Sequence, residues 1–153
     1  MTQSHSPVAD HPVPVPGCRE PGRPGHDPME LPGTPWSVRV AGGPGARPSL
    51  EVYAHGILLD VVVATPLSPG VLRGACRASG PDGRPLSLAW GRVPADGSPV
   101  AVEFTTPGLR PRTGAGRLVE LGWWFWLALA DGDFAAATAS HAAGRERCRA
   151  RRV

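Results

Sequence analysis

Two residue types are missing from this chain of 153 residues: it has no lysine and no asparagine, and glutamine and isoleucine occur once each. All 16 basic residues are therefore arginines. The missing types use AT-rich codons and the abundant Ala, Gly, Pro and Arg use GC-rich ones, so the composition indicates a GC-rich bacterial genome. The lack of asparagine excludes N-glycosylation sequons and catalytic sites that need an asparagine. The lack of lysine weakens any argument from arginine usage, because arginine is then the only cationic side chain that the codon bias supplies.

The common catalytic motifs are missing as well. The chain contains no HExxH, P-loop, GxGxxG, GxSxG or CxxC motif, which removes the usual signatures of zinc peptidases, nucleotide-binding proteins, α/β-hydrolases and thiol oxidoreductases. The turn at residues 131–133 is too short for a calcium loop, and the histidines near the N-terminus lack zinc-site spacing. We therefore expect no catalytic residue, no metal and no cofactor. An enzyme whose site is assembled from residues distant in sequence stays an alternative.

Long hydrophobic runs and a signal sequence are absent too. The run Trp123 to Ala130 is far shorter than the roughly 20 residues that span a bilayer, and residues 1–10 lack the charged and apolar regions of a signal peptide. The three cysteines, Cys18, Cys76 and Cys148, are too few and too widely spaced for a small disulfide framework. We expect a cytoplasmic protein that does not bind a membrane.

Residues 1–35 differ sharply from the rest, with nine prolines and four glycines. The stretch Pro12-Val13-Pro14-Val15-Pro16 favours extended polyproline geometry and cannot donate to a sheet ladder. Few apolar side chains offset the entropy of ordering this segment. The sequence predicts a disordered Pro/Gly-rich arm over residues 1–35 and one domain over residues 36–153. PxxP spacings occur in the arm, but they are nearly automatic in so Pro-rich a stretch.

Beyond residue 35, short alternating runs are separated by Gly, Pro and Asp every 8–15 residues, which is typical of a β-sandwich or barrel. The predicted strands are 36–41, 49–54, 57–64, 71–79, 86–93, 100–105, 118–130, 134–140 and 145–151. The run 118–130 is apolar on both faces, which predicts a central strand covered on both sides, with a bulge at Gly122. We therefore predict an all-β fold, a small antiparallel β-sandwich. The alternative is an α+β fold with a C-terminal helix over 134–152, because that segment is Ala-rich and follows Asp133, a good N-cap residue.

Cys76, Trp90 and Cys148 resemble the framework of immunoglobulin domains, in which a Trp follows the first Cys by about a dozen residues and a second Cys comes later. The gaps here are 14 and 58 residues. Glu146 stands where that family has its corner tyrosine, and only five residues follow Cys148. The resemblance implies an Ig-like general architecture without membership of the family. Two free thiols are favoured over a bridge in a reducing compartment.

The net charge of +3 is distributed unevenly. Residues 1–35 carry −2 and residues 36–153 carry +5, of which the last nine residues supply +4. Arginines recur there at every second position, which predicts a charged face on a terminal strand. The candidate anion-binding residues, for phosphates or carboxylates, are Arg145, Arg147, Arg149, Arg151 and Arg152. The competing interpretation is a charged edge strand that blocks sheet-to-sheet aggregation.

Several functions stay open on the sequence alone. The leading hypothesis is a non-catalytic interaction or accessory module with an unidentified protein partner. The second is a binder of nucleic acid or an acidic protein through the terminal arginines, and the third is the enzyme alternative. A non-coding reading frame is a further alternative, against which the regular strand alternation argues. An exposed Trp124 or Trp126 would indicate a partner surface, because exposed apolar patches mark interaction sites.

Overall fold

The computed structural model describes residues 27–66 and 70–153, and all regular secondary structure in this part of the chain is β-strand. The strands are β1 Met29–Glu30, β2 Trp36–Ala41, β3 Ser49–Ala54, β4 Ile57–Val63, β5 Leu72–Ser79, β6 Pro85–Arg92, β7 Ala101–Thr105, β8 Thr113–Ala115, β9 Arg117–Leu121, β10 Phe125–Asp131, β11 Ala136–His141, β12 Gly144–Arg149 and β13 Arg151–Arg152. The all-β prediction is confirmed. The C-terminal helix is wrong, because β11 and β12 form an antiparallel hairpin there.

The strands form three sheets. Sheet A has the order β1-β2-β3-β4, sheet B the order β13-β5-β6-β10-β9, and sheet C the order β12-β11-β7-β8. Neighbouring strands are antiparallel except β13, which runs parallel to β5. None of these residues belongs to a helix that could cross a membrane.

Sheet B lies between two hydrophobic cores. Leu88, Trp90 and Leu127 pack with sheet A in the first core. Ala89 and Trp126, their neighbours in sequence, pack with sheet C in the second. The alternation of side chains along a strand therefore buries residues 86–91 of β6 and residues 125–128 of β10, on one face of sheet B or the other. The predicted central strand covered on both faces is confirmed for residues 125–128, which are all buried.

The predicted single strand over residues 118–130 is wrong in its first half. The chain turns back at residues 122–124, so that β9 pairs with β10 in a hairpin in which Leu121 lies opposite Phe125. Gly122 has a φ of +64°, a conformation that glycine adopts without the steric cost other residues pay. β9 is an edge strand of sheet B, and its apolar residues are only partly buried. The glycine predicted to form a bulge instead starts the turn.

The immunoglobulin-type bridge does not form. Cys76 and Cys148 are both free thiols, and they belong to different cores. Burial raises the pKa of the Cys76 thiol to about 12, so this thiol stays protonated near neutral pH. Trp90, the third residue of the resemblance, donates its indole N–H to Asp60 Oδ2 at 2.8 Å. A tryptophan–carboxylate bond thus anchors the first core at this point.

The fold begins before the predicted boundary at residue 36. Residues 1–26 of the predicted arm lie outside the described part of the chain. Residues 27–35 of the predicted arm take part in the domain. Met29 and Glu30 pair with β2, and the side chain of Leu31 is buried in the first core. Thr34 Oγ1 donates a 2.8 Å hydrogen bond to the Leu31 carbonyl. The proline-rich composition concealed this part of the domain, because Leu31 is the one side chain between residues 27 and 35 that is buried in the core.

Gly91 in β6 lies where sheet B has no space for a side chain. A Cβ atom there would come within 1.9 Å of the Val71 carbonyl oxygen and 2.5 Å of the Trp126 ring. We expect Gly91→Ala to lower the free energy of unfolding by about 1–3 kcal/mol or more, as overpacked cores do. Gly43→Ala is the matched control, since a Cβ there meets nothing within 4 Å. Urea denaturation measures both, and equal stability of the two variants would contradict the packing described.

Candidate functional site

One end of the domain carries an open, mainly apolar cleft with a volume of about 960 Å³, which we call the tip cleft. Four segments supply its walls. They are residues 45–48 before β3, residues 64–66 after β4, residues 92–97 at and after the end of β6, and residues 120–124 of the β9–β10 hairpin. The cleft therefore lies where strand ends from sheets A and B meet, and each wall is a loop held by a strand of the stacked sheets.

Two adjacent tryptophans stand at the rim of the tip cleft. Trp123 is 90% exposed and Trp124 is 51% exposed, whereas Trp36, Trp90 and Trp126 are buried. Of the two tryptophans whose exposure would indicate a partner surface, Trp124 is thus exposed and Trp126 is buried. Trp123 was predicted to lie inside the central strand, and the hairpin turn moves it to the surface.

The loop that carries the two tryptophans is held by hydrogen bonds from the neighbouring strand end. The Val93 N–H donates to the Trp124 carbonyl at 2.9 Å. The indole N–H of the buried Trp126 donates to the Arg92 carbonyl at 2.8 Å. The exposed rings therefore project from a fixed backbone, so little ordering entropy would be lost when a ligand contacts them.

Prolines and arginines complete the walls. Pro48, Pro66 and Pro94 line the cleft and present rigid apolar rings. Arg47 Nη1 donates to Thr65 Oγ1 at 3.3 Å, which links two of the wall segments. A concave apolar surface with a few polar groups is the usual chemistry of a binding site for an organic ligand or an extended peptide.

The predicted arginine stripe is split between two sheets. Arg145, Arg147 and Arg149 are exposed on the outer face of β12, as their period-two spacing predicts. The buried Ala150 then ends the run, and Arg151 and Arg152 lie on β13 in sheet B. The prediction of one continuous strand face is therefore wrong beyond residue 149. The chain changes sheets because Ala150 inserts into the second core.

Part of this basic surface forms a shallow groove of about 650 Å³, which we call the C-terminal groove. Arg77, Arg147 and Arg149 line it, together with small and apolar residues. Arg77 Nη1 bonds Asp133 Oδ1 at 3.0 Å, while its buried Nε has no hydrogen-bond partner among the described residues. Arg152 lies 3.7 Å from the same aspartate. The groove thus brings Arg77, which the sequence did not single out, next to two of the predicted residues.

Glu146 holds the basic strand in place. Its side chain points inward from β12, and its carboxylate oxygens accept bonds of 2.9 Å from the backbone N–H groups of Val71 and Leu72. His141 Nε2 lies 3.5 Å from Oε1. The carboxylate therefore joins sheet C to the start of β5 in sheet B. Glu146 is visible in the sequence as the one acid within the arginine run at residues 145–152. The spacing of these residues does not indicate that Glu146 binds Val71 and Leu72.

His55, in the turn between β3 and β4, and Asp60, in β4, both have structural roles. His55 forms the turn between β3 and β4 with a φ of +49°, and Asp60 accepts bonds from Trp90 Nε1 and from the Val61 N–H. In residues 27–66 and 70–153, no three His, Cys, Asp or Glu side chains come together as they would to hold a metal ion. The tip cleft and the C-terminal groove are the two surfaces on which the functional argument depends.

Substituting Glu146 tests whether its carboxylate joins the two sheets. In Glu146→Gln one acceptor oxygen becomes an N–H₂ donor facing backbone N–H groups, so we expect the free energy of unfolding to fall by about 1–3 kcal/mol. Glu103→Gln makes the same chemical change at an exposed position of β7 and should leave stability within about 0.5 kcal/mol. Thermal and urea denaturation measure both variants. Equal stabilities would show that the carboxylate does not join the sheets.

No protein family matches the chain, and no curated protein or solved structure matches it either. The tip cleft and the C-terminal groove are therefore the features from which a function is inferred.

Proposed function

We propose that this chain is a non-catalytic interaction module that works in the cytoplasm and docks an extended segment of a protein partner in the tip cleft. The observation that carries the proposal is the exposure of Trp123 and Trp124 side by side on a loop fixed by backbone hydrogen bonds. Covering half of one indole, about 100 Å², contributes roughly 2–3 kcal/mol to binding. Tryptophan is also among the residues most often found to dominate binding energy at interfaces.

The scaffold suits this role. We propose that the three-layer packing is an elaboration of the predicted β-sandwich, with a likeness to immunoglobulin domains in general architecture only. Stacked sheets commonly present binding residues on the loops at one end. In this chain the loops at residues 45–48, 64–66, 92–97 and 122–124 would form that binding end.

Replacing both exposed indoles tests the docking surface. We expect Trp123→Ser/Trp124→Ser to weaken partner binding about 30-fold or more, because interface tryptophans often contribute 2 kcal/mol or more. Ile57→Ser is the matched control, since Ile57 is also exposed but lies at the opposite end of sheet A. Partners captured by cross-linking in cells are identified, purified and titrated against the three proteins.

The control and the double variant together decide the outcome. Loss of affinity in the double variant alone supports docking at the tip cleft. Unchanged affinity in the double variant, or an equal loss in Ile57→Ser, would place the binding surface elsewhere.

A second candidate function is binding of an anionic partner, nucleic acid or an acidic protein, in the C-terminal groove. Three observations favour it: Arg147 and Arg149 are exposed side by side, Arg77 contributes to the same groove, and the Arg77 Nε lacks a partner in the described structure. Guanidinium groups recognise phosphates and carboxylates through paired hydrogen bonds. The alternative role, an edge strand protected from aggregation by its charges, uses the same residues, since β12 is an edge of sheet C.

The salt dependence of binding separates these two roles. Each phosphate contact contributes about −0.9 to the slope of log K against log salt concentration, so Arg147→Gln/Arg149→Gln should reduce the slope for a labelled oligonucleotide by about 2. Arg110→Gln/Arg112→Gln removes two exposed arginines from the β7–β8 connection and is the control. Point substitutions are required, because cutting the chain after Gly144 would also remove Glu146. Absent binding, or equal slopes for both double variants, would eliminate this candidate.

A further inference from the structure

We propose that a small pocket beside the tip cleft takes one cationic side chain, arginine or lysine, of the docked segment, with Glu120 as its counter-charge. This inference rests on the proposed function, because it names the side chain by which the partner segment is anchored. Three observations carry it: the pocket adjoins the cleft, its size and walls suit one long side chain, and the charge among its described walls is a carboxylate.

The pocket, which we call the side pocket, has a volume of about 160 Å³. Its walls come from the loop at residues 93–100, from β9 and from the ring of Trp126. Val93, Pro94, Gly97 and Glu120 line both the side pocket and the tip cleft. The two cavities therefore share a wall, and a segment that lies in the cleft can place one side chain in the side pocket.

The side pocket has the size and the walls for a single long side chain. Pockets that enclose a whole small ligand usually measure about 300–1,000 Å³, and the side pocket is smaller than that. Pro94, Pro99, Val100 and Leu118 make its walls mainly apolar. Arginine and lysine have methylene stems that pack on apolar surfaces while the charged head reaches a polar group.

Glu120 gives the side pocket its charge. No other ionisable side chain is among the described residues that line it. Within residues 27–66 and 70–153, the Glu120 carboxylate makes no hydrogen bond or ion pair, and the buried Ser98 Oγ in the same pocket has no hydrogen-bond partner. Guanidinium and ammonium groups carry several N–H donors and no acceptor. An unpaired carboxylate beside apolar walls therefore selects a cation.

The arginines of the tip cleft lie on the other side of sheet B. Arg92 is opposite Phe125, which packs in the first core. Glu120 is opposite Trp126, which packs in the second core. Residues directly opposite each other in a sheet share a face, so Arg92 and Glu120 project from opposite faces. Arg47 precedes β3 of sheet A, on the side of the first core. The cleft is thus positive toward sheet A and negative at the side pocket.

Titrations with small probes test the proposal on the full chain. The probes are the Nα-acetyl methylamides of arginine, lysine, citrulline and glutamate, in which citrulline is the neutral isostere of arginine. Binding is followed by the NMR shifts of backbone amides and indole N–H groups. We expect arginine or lysine to shift residues 93–100 and 118–120 and to bind about fivefold more tightly than citrulline, because ion pairs at exposed sites contribute a few-fold. The tighter of the two cations identifies the anchor.

Two substitutions of Glu120 give the decisive comparison. Glu120→Gln should lower the affinity of the cationic probe about fivefold, to that of citrulline. Glu120→Arg should make glutamate the tightest probe, because the pocket then carries the opposite charge. Glu103→Gln is the control, since it removes an exposed acid that lines neither cavity and should leave all four affinities unchanged. Glu120 is exposed, so both variants should keep the fold, which the same NMR spectra report.

Three results would overturn the proposal. The first is equal affinity for arginine and citrulline, and the second is a lack of binding by both cationic probes. The third is unchanged binding of the cations to Glu120→Gln, which would place their site away from the side pocket.

These results are independent of the test of the proposed function. If Glu120→Gln binds every probe like the unaltered chain while Trp123→Ser/Trp124→Ser loses its purified partner, only the side pocket fails. If the cationic probes require Glu120 but the partner binds the tryptophan variant normally, the side pocket takes a cation and the proposed partner site fails.

Discussion

Sheet B has apolar neighbours on both faces, and most other features of the molecule follow from that. Its two central strands place alternate residues in different cores, so β6 and β10 tolerate almost no polar side chain. Two indoles, Trp90 and Trp126, fill the space above and below, and glycines at positions 74 and 91 leave room for their rings. Large rings packed against bare backbone give a dense interior from few aromatic residues. A chain with only nine aromatic side chains can build two cores in this way.

The same stacking explains where binding surfaces can form. Strand ends from sheets A and B come together at one end of the domain, and the connections there cannot be buried because their backbone groups need solvent or local partners. The β9–β10 turn projects its two indoles at that end, while hydrogen bonds to residues 92 and 93 hold its base. At the other surface, β12 carries arginines outward only because Glu146 fixes its inner face to sheet B. Both candidate sites thus depend on contacts with the central sheet.

The local pattern of the sequence predicted most of the strands, because period-two alternation and turn residues act over a few neighbours. β3 and β4, which are joined by a turn at His55 and Gly56, are two examples. The hairpin at Gly122 was missed because an apolar run gives no sign of where it turns back, and a buried strand and an edge strand of similar composition look alike.

The division of the chain into three sheets, the bond from Trp90 to Asp60 and the role of Glu146 connect residues 30 to 75 positions apart. No local pattern encodes such contacts. The tip cleft was not predicted, since its walls come from four separate segments. The arginine face was predicted up to residue 149, where local alternation gives way to the insertion of Ala150 into a core.

The order of the strands along the chain has a consequence for folding. Sheet A is built from one continuous stretch, residues 29–63, in which each strand pairs with the next. Sheets B and C are interleaved: β7 and β8 of sheet C come between β6 and β9 of sheet B, and β13 returns to sheet B after β12. Contacts between distant residues form slowly, because the connecting chain must first be closed into a loop. Sheet A can therefore assemble early as a local meander, whereas sheets B and C have to be completed together in one cooperative step.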